Sequence, residues 1–359
     1  MSASSQLILS HVGSAIMPTS EQWLARARKH LDVLTKPLGS LGRIEDLAAQ
    51  MVSIRQDDFA SPLHKAVYVF AADHGVTAEG VSAYPSEVTR QMVLNFLGHG
   101  AAINVLTKLH QVALNVIDVG VDADFQSIDG LLDHKIRKGT RNMLHEPAMN
   151  DEELARALEV GIMMAAGAKA KGQNLLAVGE MGIGNTTAAS AITSVLTHTP
   201  VVQVSGRGAG LDSAAYTHKL KVIEAVVHKH FGAGTTPEPL DVLRCAGGLE
   251  IAAMTGFILG AARYGIAIIA DGFISTAAAA IAFSIEPRVR GYLFAGHQSE
   301  EPGHRVLLEY LGLKPILSLS MRLGEGTGAV LAMPIIESAM ALYNQMATFA
   351  SAGVSEATP

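Results

Sequence analysis

Six short apolar runs alternate with Ala-rich helical stretches along the chain, and each run ends at a loop of Gly, Asp, Glu, His or Arg. The runs are residues 66–72, 112–119, 174–178, 266–270, 292–295 and 316–321. Such short, almost fully apolar runs are typical of a parallel sheet that helices cover on both faces. The pattern therefore predicts an α/β fold with six parallel strands. Ligands of such sheets bind beyond the carboxyl ends of the strands, so the polar loops mark the expected active site.

Helical patterns also flank the sheet region. The flanking helices are predicted at residues 20–34, 43–55 and about 329–346. We expect a large α/β domain that spans residues 60–328 and carries the active site. Segments 1–59 and 329–359 are expected to meet as a small helical subdomain.

Composition narrows the classes of partner. Of the 359 residues, 49% are hydrophobic and only 17% are charged, which predicts a subunit interface and, most simply, a homodimer. The net charge of −6, without a basic cluster interleaved with aromatics, argues against nucleic acid as the main partner.

The sequence also indicates the cellular location of the protein. The longest uncharged stretch, residues 181–206, is broken by Gly and Pro, so no membrane-spanning helix is expected. The N-terminus has no basic segment before its short apolar patch, and this predicts no signal peptide. The single cysteine, Cys245, suits a reducing compartment. We therefore expect a cytoplasmic protein.

The sequence GEGTGA at residues 324–329 gives the first candidate for catalysis, Glu325. The sequence GEGTGA fits the glycine pattern of a dinucleotide-binding fold. That fold also requires a second strand with an acidic residue further on, and none follows here. The glycines are better explained by a close backbone approach to another ligand. Between two glycines, Glu325 is poorly placed for packing and is either solvated or catalytic.

Two further glycine-rich loops are candidate anion sites. GEMGIGNTT, residues 179–187, follows a strand and opens a helix, where backbone amides with Asn185 and Thr186 would bind a phosphate or carboxylate. An ordinary strand-to-helix turn explains the same residues equally well. GRGAG, residues 206–210, is a similar loop with Lys219 nearby, although Lys219 could equally be a solvated helix residue.

Asp73 and His74, in the loop ADHG, stand at the end of the first strand. A metal site there would need partners, of which the best available are His297, Glu300 and Glu301. No spacing typical of metal ligands supports that interpretation, and a hydrogen-bonded structural His74 is favoured.

Tyr84, Met92 and Met181 could form the walls of a flat apolar pocket. Thioether side chains adapt to the shape of a ring at little cost. The alternative for all three is ordinary core packing.

Several of these loops together resemble one enzyme family. KPLGSLGRIE, ADHGV, GEMGIGNTT, DGF and MRLGEGTGAVLAMPI look like the nicotinate-nucleotide–dimethylbenzimidazole phosphoribosyltransferases, which activate the lower-ligand base of cobamides. The resemblance extends from about Gln22 to Tyr343. It implies a Rossmann-like six-stranded parallel sheet, a small helical subdomain and a homodimer, with no cofactor and no metal. The implied substrates are nicotinate mononucleotide and a benzimidazole-type base.

The resemblance also implies roles for individual residues. The general base falls on Glu325, and the GE-x-G loop supplies Glu180 and Gly182. Contacts with the phosphate and the nucleotide fall on Gly208, Lys219 and Ser299. Contacts with the base fall on Tyr84, Met92, Met181 and Leu323. From the loops described above, we add Asn185, Thr186, Asp73 and His74 as candidate substrate-binding residues.

Two other functions remain open from the sequence alone. One is a metal-dependent hydrolase of phosphate esters built on Asp73, His74 and His297. The other is a nucleotide-binding module without catalytic activity. The identity of the native base, including whether phenols are accepted, is left open by the sequence.

Overall fold

The computed structural model describes residues 12–57, 62–126, 128–208, 210–232 and 236–355. Residues 1–11, where the sequence predicts no signal peptide, lie outside these ranges. Within the described ranges, seven strands form one sheet in the order β3-β2-β1-β4-β5-β6-β7, and all neighbours are parallel. The strands are β1 (Lys65–Ala72), β2 (Ala113–Gly120), β3 (Leu131–Asp133), β4 (Leu175–Met181), β5 (Ala267–Ala270), β6 (Leu293–Ser299) and β7 (Pro315–Met321).

The prediction of six strands is corrected to seven by the short edge strand β3. Its three residues pair with β2, where Leu131 stands opposite Val116. The segment Leu-Leu-Asp is too short to produce an apolar run of its own, so the hydrophobic pattern could not reveal it. The other six strands lie where the apolar runs predict them.

Helices connect the strands and flank the sheet. In chain order they are α1 (Glu21–Asp32), α2 (Arg43–Arg55), α3 (Glu87–Leu97), α4 (Ala102–His110), α5 (Asp151–Ala170), α6 (Asn185–Thr197), α7 (Val201–Val204), α8 (Ser213–Phe231), α9 (Pro239–Ala246), α10 (Leu249–Arg263), α11 (Phe273–Ile285), α12 (Pro302–Leu311), α13 (Thr327–Gln345) and α14 (Phe349–Ala352). None of the helices described here combines the length and the apolar character that crossing a membrane requires.

Both faces of the sheet are covered by helices. Tyr68 and Phe70 of β1 pack against Phe257 of α10, with ring centroids 4.6 and 5.6 Å apart. Val67, which precedes Tyr68, approaches Gly326 at the start of α13. Successive side chains of a strand point to opposite faces, so α10 and α13 lie on opposite sides of the sheet. The alternation explains why β1 is apolar along almost its whole length.

Helices from the two ends of the chain meet, as the sequence predicts. The rings of His30 in α1 and Tyr343 in α13 lie 4.7 Å apart, and Leu34 pairs with Thr348 in an isolated bridge. However, α13 also packs directly on β4, β6 and β7, and it begins at Thr327, before the predicted boundary. A separate helical subdomain, divided from the large domain after residue 328, therefore stays a prediction.

Candidate active site

A cleft opens at the carboxyl ends of strands β4 to β7. This edge is where a parallel sheet places its ligand, next to the point at which the strand order reverses between β1 and β4. The loops after all four strands contribute to its lining. The lining residues are 180–186, 272–275, His297, Ser299, Glu301 and 322–324, together with 81–83, Arg207, Gly208 and Leu211.

Two glycine-rich loops touch through their backbones in this region. A Cβ atom on Gly179 would collide with the backbone of Glu325 and Gly326, and one on Gly324 would collide with the carboxylate of Glu180. Only glycine permits such an approach. The glycines thus bring Glu180 and Glu325, 145 positions apart in the numbering, into one cluster.

Glu325 occupies an unusual backbone conformation. Its φ is +64°, and the flanking Gly324 and Gly326 have φ values of +87° and +84°. A left-handed conformation is uncommon for a residue other than glycine, and away from a helix C-terminus it persists only where the surroundings determine it. The side chain is 5% exposed, and its Oε2 has no hydrogen-bond partner among the described residues. One carboxylate oxygen therefore has no partner from the described residues, directly after Gly324 of the cleft lining.

The surroundings of Glu325 raise its pKa to about 7, chiefly because burial penalises the charged form. The backbone N–H of Ile103 opposes this rise, and the negative charge of Asp271 adds to it. A carboxylate with a pKa near neutrality accepts a proton more readily than an ordinary glutamate does.

Glu180 is the second buried carboxylate of the cluster. Burial and the neighbouring Glu250 raise its pKa to about 8, against the opposing effect of a hydrogen bond that Asn185 donates. The charges of Asp271 and Glu325 raise it further. At neutral pH the folded protein therefore holds at least part of a proton on this group.

Lys219 is fully buried, so it is not the solvated helix residue that its sequence position also allowed. Its Nζ donates a hydrogen bond of 2.9 Å to Thr186 Oγ1 and lies 3.4 Å from the carbonyl oxygen of Gly206. Burial lowers the pKa of Lys219 to about 8, although the nearby Glu301 opposes the shift. Thr186 and Gly208 line the cleft beside it, so a cationic group stands just behind the cleft wall.

His74 and Asp73 lie under the cleft rather than in its lining. His74 Nε2 donates to Glu250 Oε1 at 2.6 Å, and both side chains are buried. Glu250 and Asp73 raise the pKa of His74 against the effect of burial. Asp73 Oδ2 accepts a 2.7 Å bond from the backbone of Asp122. Among the described residues there is no group of three or more potential metal ligands.

Two of the four residues assigned to the base pocket are part of the cleft lining. Met181 and Leu323 line the cleft. Tyr84 is half-exposed in the loop before α3, and Met92 packs against the core from within α3; neither is part of the lining. The assignment of Tyr84 and Met92 to the base pocket therefore stays a prediction. Ser299 lines the cleft as expected, and its backbone N–H donates to His304 Nδ1 at 2.8 Å.

Two further buried carboxylates lie close to Glu180 and Glu325, and the sequence analysis gave neither of them a role. Glu250 lies in the first turn of the apolar helix α10, where nothing local distinguishes it from a solvated helix residue. Asp271 stands at the end of β5 in the DGF motif, which offered a signal only as part of the resemblance.

Comparison with known proteins supports the resemblance over almost the whole chain. A phosphoribosyltransferase family model matches residues 16–354. The nicotinate-nucleotide–dimethylbenzimidazole phosphoribosyltransferase of Geotalea uraniireducens is 49% identical over 351 residues, covering 97% of this chain and 99% of the relative. The enzyme of that name from Pelodictyon phaeoclathratiforme is 50% identical over 343 residues, covering 95% and 96%. The crystal structure of CobT from Thermus thermophilus is 46% identical, with a TM-score of 0.89, and the match covers 94% of this chain and 100% of that one.

Proposed function

The chain belongs to the nicotinate-nucleotide–dimethylbenzimidazole phosphoribosyltransferase family, and from this premise we propose its reaction and the residues that carry it. The 5-phosphoribosyl group of nicotinate mononucleotide is transferred to 5,6-dimethylbenzimidazole or a related base. The products are α-ribazole 5′-phosphate and nicotinate. The base attacks from the face opposite the leaving nicotinate, so the β-linkage becomes α.

The observation that carries the mechanism is the buried Glu325, whose pKa of about 7 fits a general base. Nicotinate is a pyridinium in the substrate and departs with a neutral ring, so its departure needs no general acid. The attacking ring nitrogen becomes cationic unless the other ring nitrogen loses its proton. One proton acceptor is therefore the main catalytic requirement, and Glu325 meets it.

The phosphate of the nucleotide is assigned to the region around Lys219. Its ammonium, the Thr186 hydroxyl and the backbone at Gly208 stand together, and the start of α6 adds amides that favour an anion. Ser299 completes this side of the cleft. Glu180, Gly182 and Asn185 are assigned to the nucleotide between the phosphate and the base.

The base slot is proposed to include Met181 and Leu323, with Phe273 and Ile274 as further apolar lining. Tyr84 and Met92 follow the lining residues 81–83 in the chain and are proposed as further walls of the slot, as the resemblance implies. Asp73 and His74 are proposed to support the loops from below rather than to contact substrate.

We also propose a cytoplasmic homodimer that uses no cofactor. The high apolar fraction and the single cysteine are the observations that support this state and location.

Product analysis tests the function directly. The purified protein is incubated with nicotinate mononucleotide, with and without dimethylbenzimidazole, and the products are separated chromatographically. We expect nicotinate and α-ribazole 5′-phosphate in equal amounts, formed only when the base is present. Nicotinate release that does not depend on the base would indicate a hydrolase, and no release would indicate a binding module.

A further inference from the structure

Asp271 caps a helix to which it does not belong. It follows β5, and its carboxylate is 1% exposed. Oδ2 accepts a hydrogen bond of 3.1 Å from the backbone of Gly326, and Oδ1 accepts one of 2.9 Å from Ala329. The N-cap residue of α13 is Gly326, which has no side chain to cap the helix. The first turn of α13 is therefore completed by a side chain from a neighbouring strand.

This cap holds the turn that carries Glu325. Gly326 follows Glu325 directly, and three consecutive residues of the turn have positive φ. A left-handed non-glycine residue persists only where its surroundings determine it. The bond from Gly326 to Asp271 is such a determinant, and the contact of Gly179 with the backbone of the same turn is another.

The charge of Asp271 acts on the same carboxylate. Burial raises the pKa of Asp271. His297, whose Nδ1 lies 3.6 Å from Oδ1, and the amides at the start of α13 oppose this rise by favouring the ionised form. The groups that face Glu325 are Asp271 from β5, Glu180 from β4 and the N–H of Ile103 in α4. The negative charge of Asp271 adds to the rise in the pKa of Glu325 that burial causes, and Glu325 in turn raises the pKa of Glu180.

We propose that Asp271 is a positioning residue that fixes the left-handed turn of Glu325 and, through its negative charge, strengthens Glu325 as a proton acceptor. The proposal rests on the proposed function, because it assigns Asp271 a task only if Glu325 is the base. Asp271 does not need to touch the substrate for either effect.

The test is the pH profile of kcat/KM for D271N, with D118N as the matched control. Asp118 is also a fully buried aspartate near the end of a strand. Its Oδ1 accepts bonds of 3.0 and 2.9 Å from Gly120 and Val121, and its Oδ2 accepts one of 2.5 Å from Lys135, as Asp271 has His297 beside it. It lies on β2 and is not part of the cleft lining. Both substitutions keep the size of the side chain and remove a buried negative charge.

For the wild type, activity should fall as the pH decreases through about 7, where Glu325 takes up a proton. Removing a negative neighbour lowers the pKa of Glu325, so D271N should move this acidic limb to lower pH by about 0.5–1 unit. Its plateau should also fall roughly 10–100-fold, because a misplaced catalytic group loses alignment. D118N should leave the limb where it is.

An unmoved acidic limb in D271N would overturn the proposal, whether or not the plateau falls, because a purely structural role lowers activity equally at all pH values. If D271N is recovered unfolded, D271E decides instead, because it keeps the negative charge but moves the carboxylate relative to the amides of Gly326 and Ala329. A lowered plateau with the acidic limb of the wild type supports the proposal, and a wild-type plateau overturns it. A wild-type protein that forms no α-ribazole 5′-phosphate would refute the proposed function itself, which is a separate outcome.

Discussion

Lys219 is the residue through which the proposed phosphate contact can be tested most selectively. We expect Lys219→Ala to raise KM for nicotinate mononucleotide by roughly 10–100-fold, since a charge-assisted hydrogen bond contributes about 1.5–3 kcal/mol. KM for dimethylbenzimidazole should change little. The matched control is Lys221→Ala, because Lys221 is exposed on the same helix. Steady-state kinetics with each substrate varied in turn gives the comparison.

The protonation of Lys219 provides a second readout in the same experiment. Because burial lowers its pKa to about 8, the ammonium is present at pH 7 and is lost as the pH rises through about 8. KM for the mononucleotide should therefore rise in alkaline solution in the wild type and not in the alanine variant. If the variant bound the mononucleotide as tightly as the wild type, Lys219 would not face the phosphate.

At the scale of elements, α5 and α10 cross in backbone contact. A Cβ atom on Gly256 of α10 would collide with the backbone of Leu158 in α5. We expect Gly256→Ala to destabilise the fold by about 1–3 kcal/mol, because the helices must separate or shift. Gly167→Ala is the control: Gly167 is also helical, but nothing lies within 4 Å of the added atom. That variant should gain about 0.5–1 kcal/mol from helix propensity.

Chemical unfolding of the two variants measures the difference. A Gly256→Ala protein as stable as the wild type would show that the helices can adjust without cost. Equal losses in both variants would contradict the distinction between the crowded and the open position.

The order of the elements could largely be predicted, because burial makes the five inner strands β1, β2, β4, β5 and β6 largely apolar. The edge strand β7 is mostly exposed, but its Ile and Leu residues still form a recognisable run. The edge strand β3 lacks that burial and so leaves no pattern. Helix ends were less certain: α13 begins at Thr327 because Asp271, distant in sequence, caps it. A long-range cap cannot be recognised from the residues next to the helix.

The candidate site could be predicted to the level of its loops. Parallel strands bring their carboxyl ends to one edge, so GEMGIG and GEGTG had to lie near each other. The elevated pKa of Glu325 and the buried position of Lys219 depend on tertiary burial, which local sequence does not determine. The orientation of α3, which decides whether Tyr84 and Met92 reach the base, is a tertiary property of the same kind.

At the scale of the whole molecule, the apolar surface supports a dimer. Val105 and Leu109 lie one turn apart on α4, and both are more than half exposed. Burial of such surface against a second copy would be favourable. Sedimentation velocity at micromolar concentration should give a particle of twice the 37.7 kDa chain mass. A particle of one chain mass that turns over normally would contradict the dimer.

Turnover by the whole molecule depends most directly on the proton acceptor, so the decisive measurement is kcat of Glu325→Gln with nicotinate mononucleotide and dimethylbenzimidazole. The amide keeps the size of the side chain but cannot take up the proton. We expect kcat to fall about 10²–10⁴-fold, while calorimetry shows nearly unchanged binding of the mononucleotide. Glu224→Gln, at an exposed position on α8, should retain full activity. A Glu325→Gln enzyme within a few-fold of the wild type would show that Glu325 is not the base.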